Sequence, residues 1–294
     1  MNNQFIKSLF LRSLVWLQIN NKKKLKFKSW LSSINKKMPD KKCDNIGPKN
    51  VNTGSTYRGE CNTINIWRKE EIKKVLIHEM GHCMEIEFGP PFYKKKHQNG
   101  YNDIIEYIIN IFNINRNTEI RIYEAYNETW SLIMNTIFSV IEMGIKDKKI
   151  IKDKFYQLFI SEINFSMFQC AKIIQHFNFN NCESFFSNKG FSEKERYNSQ
   201  YKQSSSIISY YIIKSAFIYN INNFMEFCFQ NNKDLFKIKF NNDSFSEFKI
   251  LIEKCLFDEK YIQCINEIIE IIQKNKEIHQ DEIYNSMRMS IIDI

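Results

Sequence analysis

Thr63-Ile64-Asn65-Ile66-Trp67, followed by Arg68-Lys69-Glu70-Glu71-Ile72-Lys73-Lys74-Val75-Leu76-Ile77-His78-Glu79-Met80-Gly81-His82-Cys83-Met84, reads as a strand handing over to a helix. Residues 63–67 alternate apolar and polar, the pattern of a half-buried strand. Glu70 and Glu71 then stand where the positive end of a helix dipole favours acids. Ile72, Val75, Leu76, Met80, Cys83 and Met84 recur at helical spacing and give residues 68–88 a buried face. Gly89-Pro90-Pro91 is the expected stop. Gly81 inside the helix costs about 1 kcal/mol relative to Ala, for which close approach of another backbone or of a ligand is one reason.

The helix carries His78-Glu79-Met80-Gly81-His82. Residues four apart lie about 40° apart around a helix axis, so both imidazoles can reach one metal ion. Glu79, about 100° from His78, faces the same space without having to be a ligand. Two neutral imidazoles with a carboxylate alongside suit an ion that keeps an open position for water. The chain has only 5 His, so the spacing is unlikely to arise by chance. Cys83 points about 100° away from His82 and reads as core, and His97, His176 and His279 read as ordinary surface or core residues.

The motif resembles that of the zincin metallopeptidases. Among these, the metzincin pattern is excluded, because Glu85 and Phe88 stand where its Gly and third His would fall. The gluzincins take a Glu from a later helix, within a pattern such as Asn-Glu-x-x-Ser/Ala-Asp. Asn127-Glu128-Thr129-Trp130-Ser131-Leu132 is similar to it, with Leu132 in place of the Asp that would orient the first His. The resemblance implies Zn²⁺ held by His78, His82 and Glu128. Glu124, one turn earlier, is the alternative: it would supply the missing hydrogen bond or be the ligand itself. It further implies Glu79 as general base for peptide hydrolysis, and a Tyr or His to stabilise the oxyanion, for which Tyr210 and Tyr211 are the candidates. From Asn52-Thr53-Gly54 through to Ser209-Tyr210-Tyr211 and Met287-Arg288-Met289-Ser290, the chain is loosely similar to uncharacterised metallopeptidase-like proteins of large DNA viruses. A zincin-derived structural or binding protein, such as a virion component, is the competing expectation; the intact Glu79 argues against it.

The chain has 294 residues, and its four Pro all lie at or before Pro91; after Gly100 only Gly144 and Gly190 remain. The later two thirds lack strong breakers and should be helical, over 101–115, 119–144, 152–177, 205–230, 244–256 and 260–274. The expected class is α+β and predominantly α-helical: a small N-terminal sheet between 51 and 67 packed on the motif helix, then a helical lobe. The expected divisions are a basic helical segment (1–50), a zincin-like core (51–177), a polar loop (178–206) and a C-terminal helical lobe (207–294).

The net charge of +9 runs through Lys-rich stretches such as 21–28, 36–42 and 94–97, which read as solvated faces. They leave weak contact with an anionic surface open, and no nucleic-acid partner is expected. Residues 5–19 are too short and too interrupted for a membrane span and lack a secretory cleavage site; a basic amphipathic helix that packs on the domain is expected, with contact with a membrane surface as the alternative. The 8 Cys form no CxxC pair and no regular framework, which favours a reducing compartment: the cytoplasm, or for a viral protein the host cytoplasm or virion.

Overall fold

The computed structural model describes residues 3–19, 25–57, 63–87, 98–239, 241–275, 277–278 and 281–292. In chain order the elements are helix α1 (Asn3–Ile19), strand β1 (Lys26–Ser32), the single turn α2 (Pro48–Val51), strands β2 (Gly54–Tyr57) and β3 (Thr63–Arg68), and helix α3 (Ile72–Met84). Helices α4 (Gln98–Ile111), α5 (Tyr123–Glu142) and α6 (Lys148–His176) follow, then the short α7 (Cys182–Phe185) and α8 (Glu193–Tyr197). A π-helical turn (Ile208–Ile213) leads into α9 (Lys214–Tyr219), α10 (Ile221–Asn231), α11 (Asn242–Leu256), α12 (Glu259–Lys274) and α13 (Glu282–Asn285). The class is α+β and predominantly helical, with a small three-stranded sheet near the N-terminus.

The sheet has the order β1-β3-β2, with β1 parallel and β2 antiparallel to the central β3. Ile64 and Ile66 of β3 are fully buried and the residues between them are half-buried, as their alternation implies. α3 packs against β2 and β3 on one side and α5 on the other. One continuous apolar cluster, from Leu9 and Trp16 through Ile77, Trp130 and Phe217 to Met289, joins these layers to the later helices.

Several boundaries differ from expectation. β1 lies in a stretch expected to be helical; its residues 26–30 are all exposed, so no alternation of burial marks it as a strand. α3 occupies only part of 68–88, because β3 runs to Arg68 and the helix ends at Met84. Glu71 (φ 55°) and Glu85 (φ 53°) flank it in the left-handed region, which non-glycine residues seldom adopt. At Glu71 the conformation is held by its buried carboxylate, which accepts from Lys36 Nζ and from the backbone N–H groups of Met289 and Ser290. The single run expected over 205–230 is divided into the π turn, α9 and α10, with Asn220 (φ −94°, ψ 46°) between the last two. The polar stretch 178–206 contains α7 and α8, opened by capping boxes at Asn181 and Ser192. The expected stop at 89–91, the Lys-rich stretch 94–97 with His97, Lys22 to Lys24, and His279 lie outside the described residues. Among the described residues, all cysteines are free, and no helix is long and apolar enough to cross a membrane.

Candidate metal centre

α3 brings His78, Glu79 and His82 to the interface with α5, where each is at least nine-tenths buried. The close approach at Gly81 comes from Asn127 of α5. A Cβ at 81 would lie 2.0 Å from Asn127 Oδ1, while Asn127 Nδ2 donates to the His78 carbonyl at 2.8 Å. A glycine on one helix and an amide on the other thus set how closely, and in what rotation, the two helices meet.

That rotation decides which acid faces the imidazoles. Glu124 Oε2 lies 3.2 Å from Nε2 of both His78 and His82, and the two Nε2 atoms are 3.1 Å apart. Three donor atoms therefore form a nearly equilateral triangle. Ligands about 2.0–2.1 Å from a tetrahedral zinc ion sit about 3.3 Å from one another, so the triangle is close to one face of such a site. Glu124, rather than the expected Glu128, completes it. Glu128 is one turn further along α5, about 40° round the axis, which places its Oε2 2.9 Å from the other nitrogen of His78, Nδ1. Its Oε1 is paired with the buried Lys74 Nζ. The alternative roles sketched for Glu124 and Glu128 are thus exchanged. Glu128 stands against His78 Nδ1, where an acid can orient the ring, and Leu132 is core.

His82 is supported in the same way: its Nδ1 is 2.9 Å from Glu87 Oε1. A carboxylate oxygen stands 2.9 Å from each Nδ1, so a proton held there would leave each Nε2 lone pair facing Glu124, the arrangement a metal ligand needs. Glu124 Oε2 is buried with the two Nε2 atoms 3.2 Å away. Two imidazole nitrogens and a carboxylate converging at these distances favour a positive charge between them, a proton or a metal ion, and the donor set fits zinc.

The electrostatics carry the same message. Burial alone would lower the pKa of His82, but the charges of Glu124 and Glu87 outweigh it and hold it well above the usual imidazole range. His78 is raised against burial by Glu124 and Glu128. Burial would raise the carboxyl of Glu124, yet the two imidazoles depress it; that of Glu128 is held at about 2, against burial, chiefly by Lys74. Positive charge is what this interface favours.

Glu79 faces a cleft lined by Thr53, Gly54, His78, Tyr210 and Met289. Thr56 Oγ1 lies 2.7 Å from Glu79 Oε2 and 2.8 Å from its carbonyl oxygen, so β2 steadies the carboxylate from the strand side. A side chain at Gly54 would come within 3.0 Å of Glu79 Oε1. The Tyr210 ring centroid is 5.9 Å from that of His78, and burial among Glu124, Glu79 and Glu128 pushes its pKa well above the ordinary value, leaving a neutral O–H donor. It is presented by the π-helical turn, a distortion often found at functional positions. Tyr211 does not reach the cleft. It is fully buried, and its hydroxyl donates to the Met287 carbonyl at 2.6 Å. Consecutive residues of a helical turn diverge by roughly 90–100°, so both tyrosines cannot face one site.

Lys74, Glu87 and Tyr123 were not singled out from the sequence. Lys74 had a signal: it lies one turn before His78, on the same face of the helix. Tyr123, with its ring centroid 6.3 Å from that of His82, had none. His176 is structural, with Nε2 2.9 Å from the Asp44 carbonyl and a pKa lowered by burial.

No family model and no solved structure matches the chain. It is similar to the uncharacterized protein R210 of Acanthamoeba polyphaga mimivirus, at 25% identity over 221 residues, which are 74% of this chain and 49% of that protein. The chain thus spans about half the length of this viral relative.

Proposed function

We propose that the protein is a zinc-dependent peptidase in which His78, His82 and Glu124 hold the metal. The observation that carries this reading is the triangle of Nε2, Nε2 and Oε2 atoms beside a carboxylate that is not one of its members. Zinc held there supplies an acidified water, with its pKa near about 7, and polarises a carbonyl oxygen. Glu79, steadied by Thr56, takes the proton of the attacking water and delivers it to the leaving amine. Tyr210, kept neutral, donates to the oxygen of the tetrahedral intermediate. β2, at the edge of the sheet among the described residues, offers its outer side to an extended peptide beside Glu79. The same metal site without turnover, in a structural or binding protein, is the second reading. The retained Glu79 counts against it, since the metal is held without it.

Glu79→Gln separates the two. The substitution keeps size and hydrogen-bonding reach while removing the base. Zinc content by elemental analysis should be unchanged, while cleavage of a diverse peptide library should fall at least about 10²-fold. Equal cleavage by the wild type and Glu79→Gln rejects the mechanism. Bound zinc with no cleavage of either the library or proteins from the source favours the second reading.

A further inference from the structure

The positive charge of the chain is concentrated in one segment. Residues 1–39 contain nine of the 42 Lys and Arg and none of the 33 Asp and Glu, so residues 40–294 hold 33 of each sign. The +9 is therefore a property of the segment that builds α1 and β1.

α1 docks through Leu9, Arg12 and Trp16, which share one face. Trp16 lies against Phe236 with ring centroids 4.6 Å apart, and the Arg12 guanidinium binds Glu142, Asn135 and Ser139 of α5. This anchoring fixes which side looks outward, and that side is not polar. Ile6, Phe10 and Leu14 form one i, i+4 row, and Leu11, Val15 and Ile19 a second, all six exposed. Exposed Lys7 lies between the rows. Glu142, held to α1 by Arg12 and Ser8, brings the exposed Ile141 and Met143 alongside, with exposed Lys146, Lys148 and Lys149 just beyond. A helix apolar on both sides is ordinarily covered, and a contiguous apolar patch rimmed by lysine marks a binding surface.

We propose that this face of α1 docks on an anionic lipid surface, lying along it with the two apolar rows at the boundary between headgroups and acyl chains and the lysines against the headgroups. The charge selects this occupant. A second copy meeting the same face would set its lysines, Lys7 with Lys146, Lys148 and Lys149, against their own kind. A nucleic acid would neutralise the lysines but leave Phe10, Leu14 and Val15 in water. A bilayer with acidic headgroups satisfies both requirements. At 17 residues α1 can lie on a bilayer but is short for crossing one.

The test is cosedimentation of the purified chain with vesicles of phosphatidylcholine, with or without about 30% phosphatidylserine. Binding to the acidic vesicles should exceed that to neutral ones at least about tenfold, and fall in about half-molar salt. Phe10→Ser/Leu14→Ser alters only exposed positions, so its melting curve should match the wild type while binding drops by about tenfold or more. Val15→Ser/Ile19→Ser should behave alike and guards against one pair disturbing the fold. Three results would overturn the proposal: no binding to acidic vesicles, equal binding by the wild type and both variants, or a dimer that the serine variants dissolve.

Discussion

Two clusters of buried charge share α3 and α5, and they are finished differently. Toward residue 71, Glu71 is matched by Lys36 and two backbone N–H groups, and Glu128 by Lys74. Nearby, Glu162 of α6 accepts from Ser290 Oγ and from the N–H groups of Ile291 and Ile292, while Lys214 donates to Ser166 and to the Met289 carbonyl. The segment 287–292 is threaded through this cluster, supplying backbone N–H groups and a carbonyl as partners. Toward residue 82, Glu124 Oε2 instead meets two imidazole nitrogens, each 3.2 Å away. A carboxylate matched by a fixed lysine is architecture; one matched by two titratable imidazoles is where the proposed metal would sit.

The largest expected effect breaks this contrast most directly. Zinc should raise the melting temperature of the wild type, and Glu124→Ala should abolish that rise. Glu128→Ala should weaken zinc by about 10–100-fold in a chelator competition, as expected for a residue that orients a ligand. Stronger loss in Glu128→Ala would reverse the two roles. Next in size is the saturated side. Glu71→Ala leaves Lys36 buried without its carboxylate and should cost about 3–5 kcal/mol in urea unfolding. A cost below about 1 kcal/mol would show that the cluster is not the support described here.

The smallest effect belongs to a half-exposed ion group outside both clusters. Burial would raise the carboxyl of Glu142, but Arg12, Ser8 and Lys73 hold it at about 2. Its folded pKa lies below its unfolded value, so its stabilisation is present above about pH 4.5 and is lost as pH falls toward about 2. After solvent screening it should amount to about 1 kcal/mol. The stability gap between the wild type and Glu142→Gln should therefore be visible at neutral pH and close at pH 2. A gap that persists there would assign the effect to packing.

The sequence makes some of this legible and hides the rest for physical reasons. Helices α11 and α12 begin within two residues of expectation and end as expected, because regular apolar spacing survives wherever a helix has one buried face. β1 escapes notice because an edge strand exposed over most of its length has no pattern to show. His78, Glu79 and His82 are readable because one helix fixes all three. Glu124 and Glu128 are separable only by the rotation of α5 on α3, which Asn127 sets by packing on Gly81 across 46 residues of sequence. The adjacent tyrosines illustrate the same limit: both are plausible until the π turn aims Tyr210 at His78 and leaves Tyr211 on a backbone carbonyl.

The bonds from Glu71 to residues 289 and 290 span 218 and 219 positions. During synthesis Glu71 therefore emerges long before its backbone partners do. Closing so long a loop is entropically slow and follows the formation of local helices. Lys74, on the turn of α3 next to Glu71, meets the Met289 sulfur at 3.6 Å and also pairs with Glu128 beside His78. Completion of the histidine surroundings is thus timed to the arrival of residues 289 and 290. A nascent chain carries the His-Glu-x-x-His helix early and the fully braced site late.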